Sequence, residues 1–147
     1  MNKFFTAVTL AAFILLVSAI ATLAHAETIT AQCSGTLAST IETSYYTAPT
    51  ATQVTHTEAN FVARIDTEAS TITLASTRRP VAPLQYKQVT LIDGAYSAYD
   101  PRDNNAGYIV IDTLAHTYEL HSAHSVKSSK DAMVSQLASS TGRCVIQ

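Results

Sequence analysis

Residues 61–74 read FVARIDTEASTITL, and this stretch decides the fold class. In Phe61–Asp66 the odd positions are apolar and the even positions end in charge, which is the two-residue period of a half-buried β-strand. Thr71–Leu74 alternates in the same way after the short polar link at 67–70. Together the two segments predict a β-hairpin.

Similar segments follow along the chain. Gln85–Asp93 and Gly94–Tyr99 read as two strands joined by the tight-turn dipeptide Asp93-Gly94, and Tyr108–Asp112 with His116–His121 reads as a second hairpin. Helices do not alternate with these strands, so a parallel sheet is disfavoured. We predict an all-β fold, a single antiparallel sheet of about seven or eight strands that is curved or closed into a small barrel or sandwich.

The C-terminal segment supports two interpretations. Ser128 and Asp131 resemble a capping box, which predicts one short helix near residues 128–138. Val134–Leu137 could instead form a short strand. Cys144-Val145-Ile146 reads as a terminal strand beside the N-terminal strand around Cys33.

The first 26 residues have the pattern of a signal peptide. Lys3 precedes an apolar run, and the small outer residues of Ala24-His25-Ala26 suit the narrow pocket of a signal peptidase, so we expect cleavage before Glu27. An uncleaved membrane anchor is the alternative, because about 20 apolar residues can span a bilayer. We therefore predict an exported protein, periplasmic or extracellular, with residues 27–147 as a single domain.

The charge of this domain argues against some partners. Lys3 is the only charged residue in the first 26, which leaves eight Lys and Arg against eleven Asp and Glu without a run of one sign. We expect no binding to nucleic acid, and membrane contact only through the signal peptide before cleavage.

Cys33 and Cys144 are the only two cysteines. Because export delivers thiols to an oxidising compartment, we predict one disulfide between them. It would close a loop of 112 residues, counting both cysteines, which in the chain-entropy model stabilises the fold by about 4 to 5 kcal/mol. A redox pair would require the two thiols close together in sequence.

His116, His121 and His124 fall within nine residues and are candidate functional residues. Successive side chains leave opposite faces of a strand, so His116 and His121 cannot bind one ion. Only a bend after His121 could join it to His124, with Glu119 or Asp112 as a third ligand. We predict neither a metal site nor any other cofactor, and retain these residues as candidates.

The loop around Arg78 and Arg79 holds two further candidates, since paired arginines beside prolines can bind an anion or a partner. A hydrolase would need Asp100, Asp103 or Asp112 to converge with a histidine. The Asp- and Asn-rich stretch 100–107 fails the spacing of a calcium loop.

The closing third of the chain resembles small exported bacterial β-proteins that have an early cysteine and a C-terminal G-x-C, here Gly142-Arg143-Cys144. The resemblance covers about the last 40 residues. It implies a β-meander and export, and it implies no activity.

We therefore predict a non-enzymatic binding module, secreted or periplasmic, that recognises a protein or an envelope component. Tyrosines are typical of interfaces, and Tyr45, Tyr46, Tyr96 and Tyr99 would supply flat contact surfaces if they are exposed. A small hydrolase that uses Asp and His, and a metal-binding periplasmic protein, are the alternatives.

Overall fold

The computed structural model describes residues 27–78, 80–102, 105–129 and 131–147, and these form eight β-strands without a helix. The expected signal peptide lies outside the described residues. In chain order the strands are β1 (Thr28–Tyr45), β2 (Ala51–Asp66), β3 (Thr71–Ser76), β4 (Leu84–Ile92), β5 (Ala95–Tyr99), β6 (Asn105–Asp112), β7 (Thr117–Lys127) and β8 (Ala132–Ile146).

Each strand pairs antiparallel with its neighbours in sequence, and β8 pairs with β1 to close the barrel. The prediction of an antiparallel all-β barrel is confirmed. Phe61–Asp66 and Thr71–Leu74 form the predicted hairpin, with Ala63 opposite Leu74 and Ile65 opposite Ile72. Both Asp93 and Gly94 have positive φ in the turn that joins β4 to β5, as a tight hairpin turn requires.

The helix predicted near residues 128–138 is wrong, and the alternative of a strand is correct. β8 begins at Ala132 and pairs with β1 on one side and β7 on the other. Ser128 does not begin a helix: its backbone N–H donates to the carbonyl of Ala132. The hydroxyl of Ser129 accepts a hydrogen bond from the backbone N–H of Asp131 inside the same β7–β8 turn. Two complete ladders outweigh the local helical propensity of Ala132 and Met133.

The disulfide between Cys33 and Cys144 is confirmed, and it joins β1 to β8 where the barrel closes. The two residues lie directly opposite each other, and their Cα atoms are 4.1 Å apart. The N–H of Cys144 donates to the carbonyl of His116 rather than to β1. Cys33 and Cys144 therefore form a non-hydrogen-bonded pair, the arrangement that brings opposite side chains closest.

The two ends of the barrel are built from different parts of the chain. The closed end holds both termini of residues 27–147 and the β2–β3, β4–β5 and β6–β7 turns, and its core includes Ile65, Ile72, Ile109 and Ile111, all fully buried. The open end holds the other four connections. There β1, β2, β7 and β8 continue as an extension formed by residues 36–45, 51–60, 121–127 and 132–141.

Within the ranges that the structure describes, no helix is long and apolar enough to cross a membrane.

Candidate functional site

A cavity of about 570 Å³ opens at the mouth of the barrel, between the extension and the β3–β4 loop. Its floor is mainly aromatic and aliphatic, and charged side chains lie at its rim. The floor residues include Leu37, Phe61, Leu74, Tyr86, Leu120 and Ser140, and the rim includes Glu58, Arg78, Val81, Ala82 and Arg102. We call this cavity the mouth.

The floor of the mouth is held rigidly by a pair of rings. Phe61 and Tyr118 pack edge to face with ring centroids 4.8 Å apart, and the buried hydroxyl of Tyr118 lies 2.8 Å from the Oγ of Ser140. Gly35 and Gly142 lie opposite each other beneath that ring, and a Cβ on either would overlap the neighbouring backbone. Ring packing and a satisfied hydroxyl fix the floor in one arrangement.

The rim carries two ion pairs. Arg78 Nη2 and Glu58 Oε2 are 2.5 Å apart, and both side chains are exposed. Arg102 pairs with Asp100, whose side chain is almost fully buried. The candidate Arg78 thus lies at the rim of the mouth, whereas Arg79 lies outside the described residues.

Asp100 organises the β5–β6 connection. Its carboxylate accepts hydrogen bonds from the backbone N–H, the Nε and the Nη2 of Arg102, and from the side-chain amide of Asn105. The hydrogen bonds from Arg102 lower the pKa of Asp100, although burial opposes them. Burial, with the nearby Asp100 charge, raises the pKa of Tyr86. Asp100 therefore holds the Arg102 guanidinium at the rim.

The three histidines do not converge. His116 lies in the β6–β7 turn at the closed end with a φ of 56°. β7 runs without interruption through both His121 and His124, so these side chains leave opposite faces of the strand. The described residues contain no group of three or more His, Cys, Asp or Glu that could hold a metal ion.

The carboxylate of Asp112 has a structural partner. It accepts hydrogen bonds from the backbone N–H groups of Leu114 and Ala115, which closes the β6–β7 turn. Asp112 thus lies at the closed end, and Asp100 lies at the open end. Asp103 lies outside the described residues.

A polar cluster that was not predicted lies on the outer wall. Tyr108 and His121 lie opposite each other on β6 and β7, and their rings stack with centroids 4.8 Å apart. Glu119 accepts a hydrogen bond from the Tyr108 hydroxyl and lies 2.7 Å from the Nε2 of His121. Burial and this hydrogen bond raise the pKa of Tyr108. The sequence does indicate part of this cluster, because Glu119 and His121 are two residues apart on one strand and therefore share a face.

The four tyrosines considered for an interface divide between two environments. Tyr45 and Tyr46, at the tip of β1, and Tyr99, at the end of β5, are exposed, whereas Tyr96 belongs to the core. The three exposed rings all lie at the open end.

No protein-family model matches the chain, and no curated protein matches it.

Proposed function

We propose that this protein is a non-enzymatic binding module of an oxidising, exported compartment, and that the mouth receives an apolar group of a protein or envelope partner. The observation that carries the proposal is the mouth itself, a concave cavity of about 570 Å³ at one end of a closed barrel. Cavities of this size, with apolar walls and few polar groups, are typical of ligand sites at the mouths of β-barrels.

The charges at the rim favour a neutral apolar group. Arg78 is paired with Glu58, and Arg102 is paired with Asp100. An anionic ligand would have to compete with a carboxylate that each guanidinium already contacts. An apolar group gains about 25 cal/mol for each Å² that it buries against Phe61 and Leu120, without breaking either pair.

Export is supported by two independent features. The first 26 residues have the composition of a signal peptide, and Cys33 and Cys144 form a disulfide. A disulfide that closes a long loop is typical of proteins in oxidising compartments. Both features favour a partner that is exported or part of the envelope.

The two alternatives have less support. A hydrolase would need a carboxylate aligned with a histidine, whereas the carboxylates of Asp100 and Asp112 are used within their own turns. A metal-binding protein would need ligands that share a point, and His121 and His124 leave opposite faces of β7.

The proposal is tested by filling the mouth. The chain has no tryptophan, so a single introduced tryptophan also reports binding by fluorescence. Ala59 lines the mouth, and Ala123 lies on the outer wall. We expect the neutral fluorophore N-phenyl-1-naphthylamine to bind the native protein, and Ala59→Trp to weaken binding by about tenfold or more.

The matched control is Ala123→Trp, which leaves the mouth open and should bind the fluorophore like the native protein. Circular dichroism and the melting temperature establish that both variants are folded. The proposal is contradicted by fluorophore binding that Ala59→Trp and Ala123→Trp weaken equally, or by the absence of saturable binding to the native protein.

A further inference from the structure

One side of β2 has no strand beside it at the open end. β1 pairs with β2 from Ala51 to Asp66, but β3 pairs with it only from Phe61 onward. Among the described residues, no strand pairs with the other side of β2 between Ala51 and Ala59. The barrel is therefore closed from Phe61 onward, and the segment Ala51–Ala59 is a free strand edge.

The direction of the peptide groups along this edge follows from two hydrogen bonds. The carbonyl of Asn60 accepts from the backbone N–H of Thr77, on the side of β3, and the N–H of Thr67 donates to Glu27, on the side of β1. Peptide groups alternate between the two sides of a strand, and the register with β1 is uninterrupted. The peptide groups of the even residues Thr52, Val54 and His56 thus face away from β1.

This edge lacks the usual protection against pairing. Natural sheets shield their edges with charged side chains, especially Lys, or with Pro, bulges or short strands. The segment Ala51–Asn60 contains neither Lys nor Pro, and its one charged residue, Glu58, is paired with Arg78 and lies outside Thr52–His56. It contains three Thr and one Val, residue types that favour strands, and Val54 is 56% exposed. The edge combines an accessible backbone with a composition that accepts another strand.

The same segment continues into the mouth. Thr57, Ala59 and Phe61 of β2 line the cavity, together with Ser76 and Arg78 where β3 ends. A strand added beside β2 would occupy the place that β3 vacates after Ser76. Because side chains alternate along a strand, every second side chain of that added strand would point toward the mouth.

We infer that the partner is an extended polypeptide segment that pairs with the β2 edge at Thr52–His56 and inserts an apolar side chain into the mouth. This inference rests on the proposed function and names its ligand class. Only a polypeptide repeats a donor and an acceptor every second residue, about 6.6 Å apart along a strand. Backbone pairing provides affinity in this mode, and the pocket provides side-chain specificity.

The first experiment selects ligands from a displayed library of random nine-residue linear peptides. We expect enriched peptides to carry apolar residues at alternate positions and to bind the native protein. Val54→Pro should weaken their binding by about tenfold or more, because proline removes an N–H that faces the partner while no bond to β1 is lost. Val54→Thr, which retains the N–H, is the matched control and should bind normally.

Two further measurements do not depend on the folding of Val54→Pro. The N–H groups of the bound peptide alternate between facing β2 and facing solvent. N-methylation of the residues whose N–H faces β2 should abolish binding, and N-methylation of the other alternate residues should leave binding unchanged. In the complex, amide exchange at Val54 and His56 should slow by about tenfold or more, while the amide of Thr55, which faces β1, is unchanged.

Three results would overturn the inference: no peptide is enriched, both N-methylated sets bind equally, or sedimentation shows that the free chain self-associates through β2. Failure here is distinguishable from failure of the proposed function. If N-phenyl-1-naphthylamine binds the mouth and no peptide binds the edge, only this inference is wrong. If peptides protect Val54 while Ala59→Trp has no effect on either ligand, the mouth proposal and the side-chain insertion are wrong, and only the pairing with the β2 edge stands.

Discussion

The closed end and the open end of the barrel use similar strands for different purposes. At the closed end, inward positions carry fully buried Ile65, Ile72 and Ile111, and the disulfide fastens the β1–β8 seam. At the open end the extension carries small and polar residues inward, such as Ser39 and Ala138, which pair across β1 and β8. The closed end supplies stability, and the open end supplies a cavity and a free edge.

The difference shows how one closed sheet can be both stable and open to a ligand. An eight-stranded barrel is just wide enough for side chains to fill it or for one small ligand to enter. Large residues fill the lower part here, and shorter side chains leave the upper part empty. Local stability follows buried apolar contacts, so the two ends should open with different free energies.

The largest effect is expected from the disulfide. Replacing Cys33 and Cys144 together by serine should lower the free energy of unfolding by about 4 to 5 kcal/mol in the chain-entropy model, because the link restrains a long loop in the unfolded chain. Denaturation by urea measures the change, and mass spectrometry verifies the oxidised state of the native protein. A loss below about 1 kcal/mol would show that the seam contributes little to the closed end.

The second prediction compares the same truncation at both ends. Ile111→Ala at the closed end should cost about 2 to 5 kcal/mol, because Ile111 is fully buried. Ile41→Ala, in the partly exposed extension of β1, should cost about 1 kcal/mol. Urea unfolding of both variants checks the difference, and equal costs would remove the distinction between the two ends.

The third prediction concerns Asp100 at the open end. Asp100→Asn should lower stability at neutral pH by about 1.5 to 3 kcal/mol, the range for hydrogen bonds to charged groups. The folded-state pKa of Asp100 is lowered. Its stabilisation is therefore present above the unfolded pKa and is lost as the pH falls through the folded pKa.

Unfolding experiments at neutral pH and in acid check the direction of this pH dependence. The difference between the native protein and Asp100→Asn should shrink below about pH 4. Asp93→Asn is the matched substitution in a turn at the closed end, and it should change stability by less than about 0.5 kcal/mol. A difference between the native protein and Asp100→Asn that grows in acid would contradict the assignment of Arg102 as the partner.

The smallest effect is expected on the outer wall. A double-mutant cycle with Tyr108→Phe and His121→Ala should give a coupling energy of about 0.5 kcal/mol or less, because exposed cross-strand pairs contribute little. Glu119 contacts both residues, so repeating the cycle in Glu119→Gln should reduce the coupling further. A coupling above about 2 kcal/mol would indicate that this cluster, rather than the closed end, supports the fold.

Much of the closed end could be predicted from sequence, because its alternation is strongly hydrophobic. The alternation in Phe61–Asp66 and the apolar residues of Tyr108–Asp112 predict buried strands, and the two cysteines predict the disulfide between β1 and β8. The extension carries a weaker signal. Thr, Ser and Ala alternate there with little contrast in hydrophobicity, so the full lengths of β1 and β8 could not be derived.

The mouth was beyond prediction for a different reason. Its lining comes from segments far apart in sequence, from Leu37 to Ser140, and only barrel closure brings them together. Arg78 was identified as a candidate from its loop, but its partner Glu58 depends on the β2–β3 register. Whether β7 bends after His121 could not be predicted from the sequence; the strand is continuous, so His121 and His124 leave its opposite faces.

Residue-resolved hydrogen exchange of the free protein tests the division between the two ends most directly. We expect amides of Ile65 and Ile111 to exchange only through global unfolding, and those of Ser39 and Ala138 to exchange through smaller openings, with lower free energies. Equal protection at both ends, or stronger protection in the extension, would contradict the separation of a stabilising closed end from an open end that we propose to bind a partner.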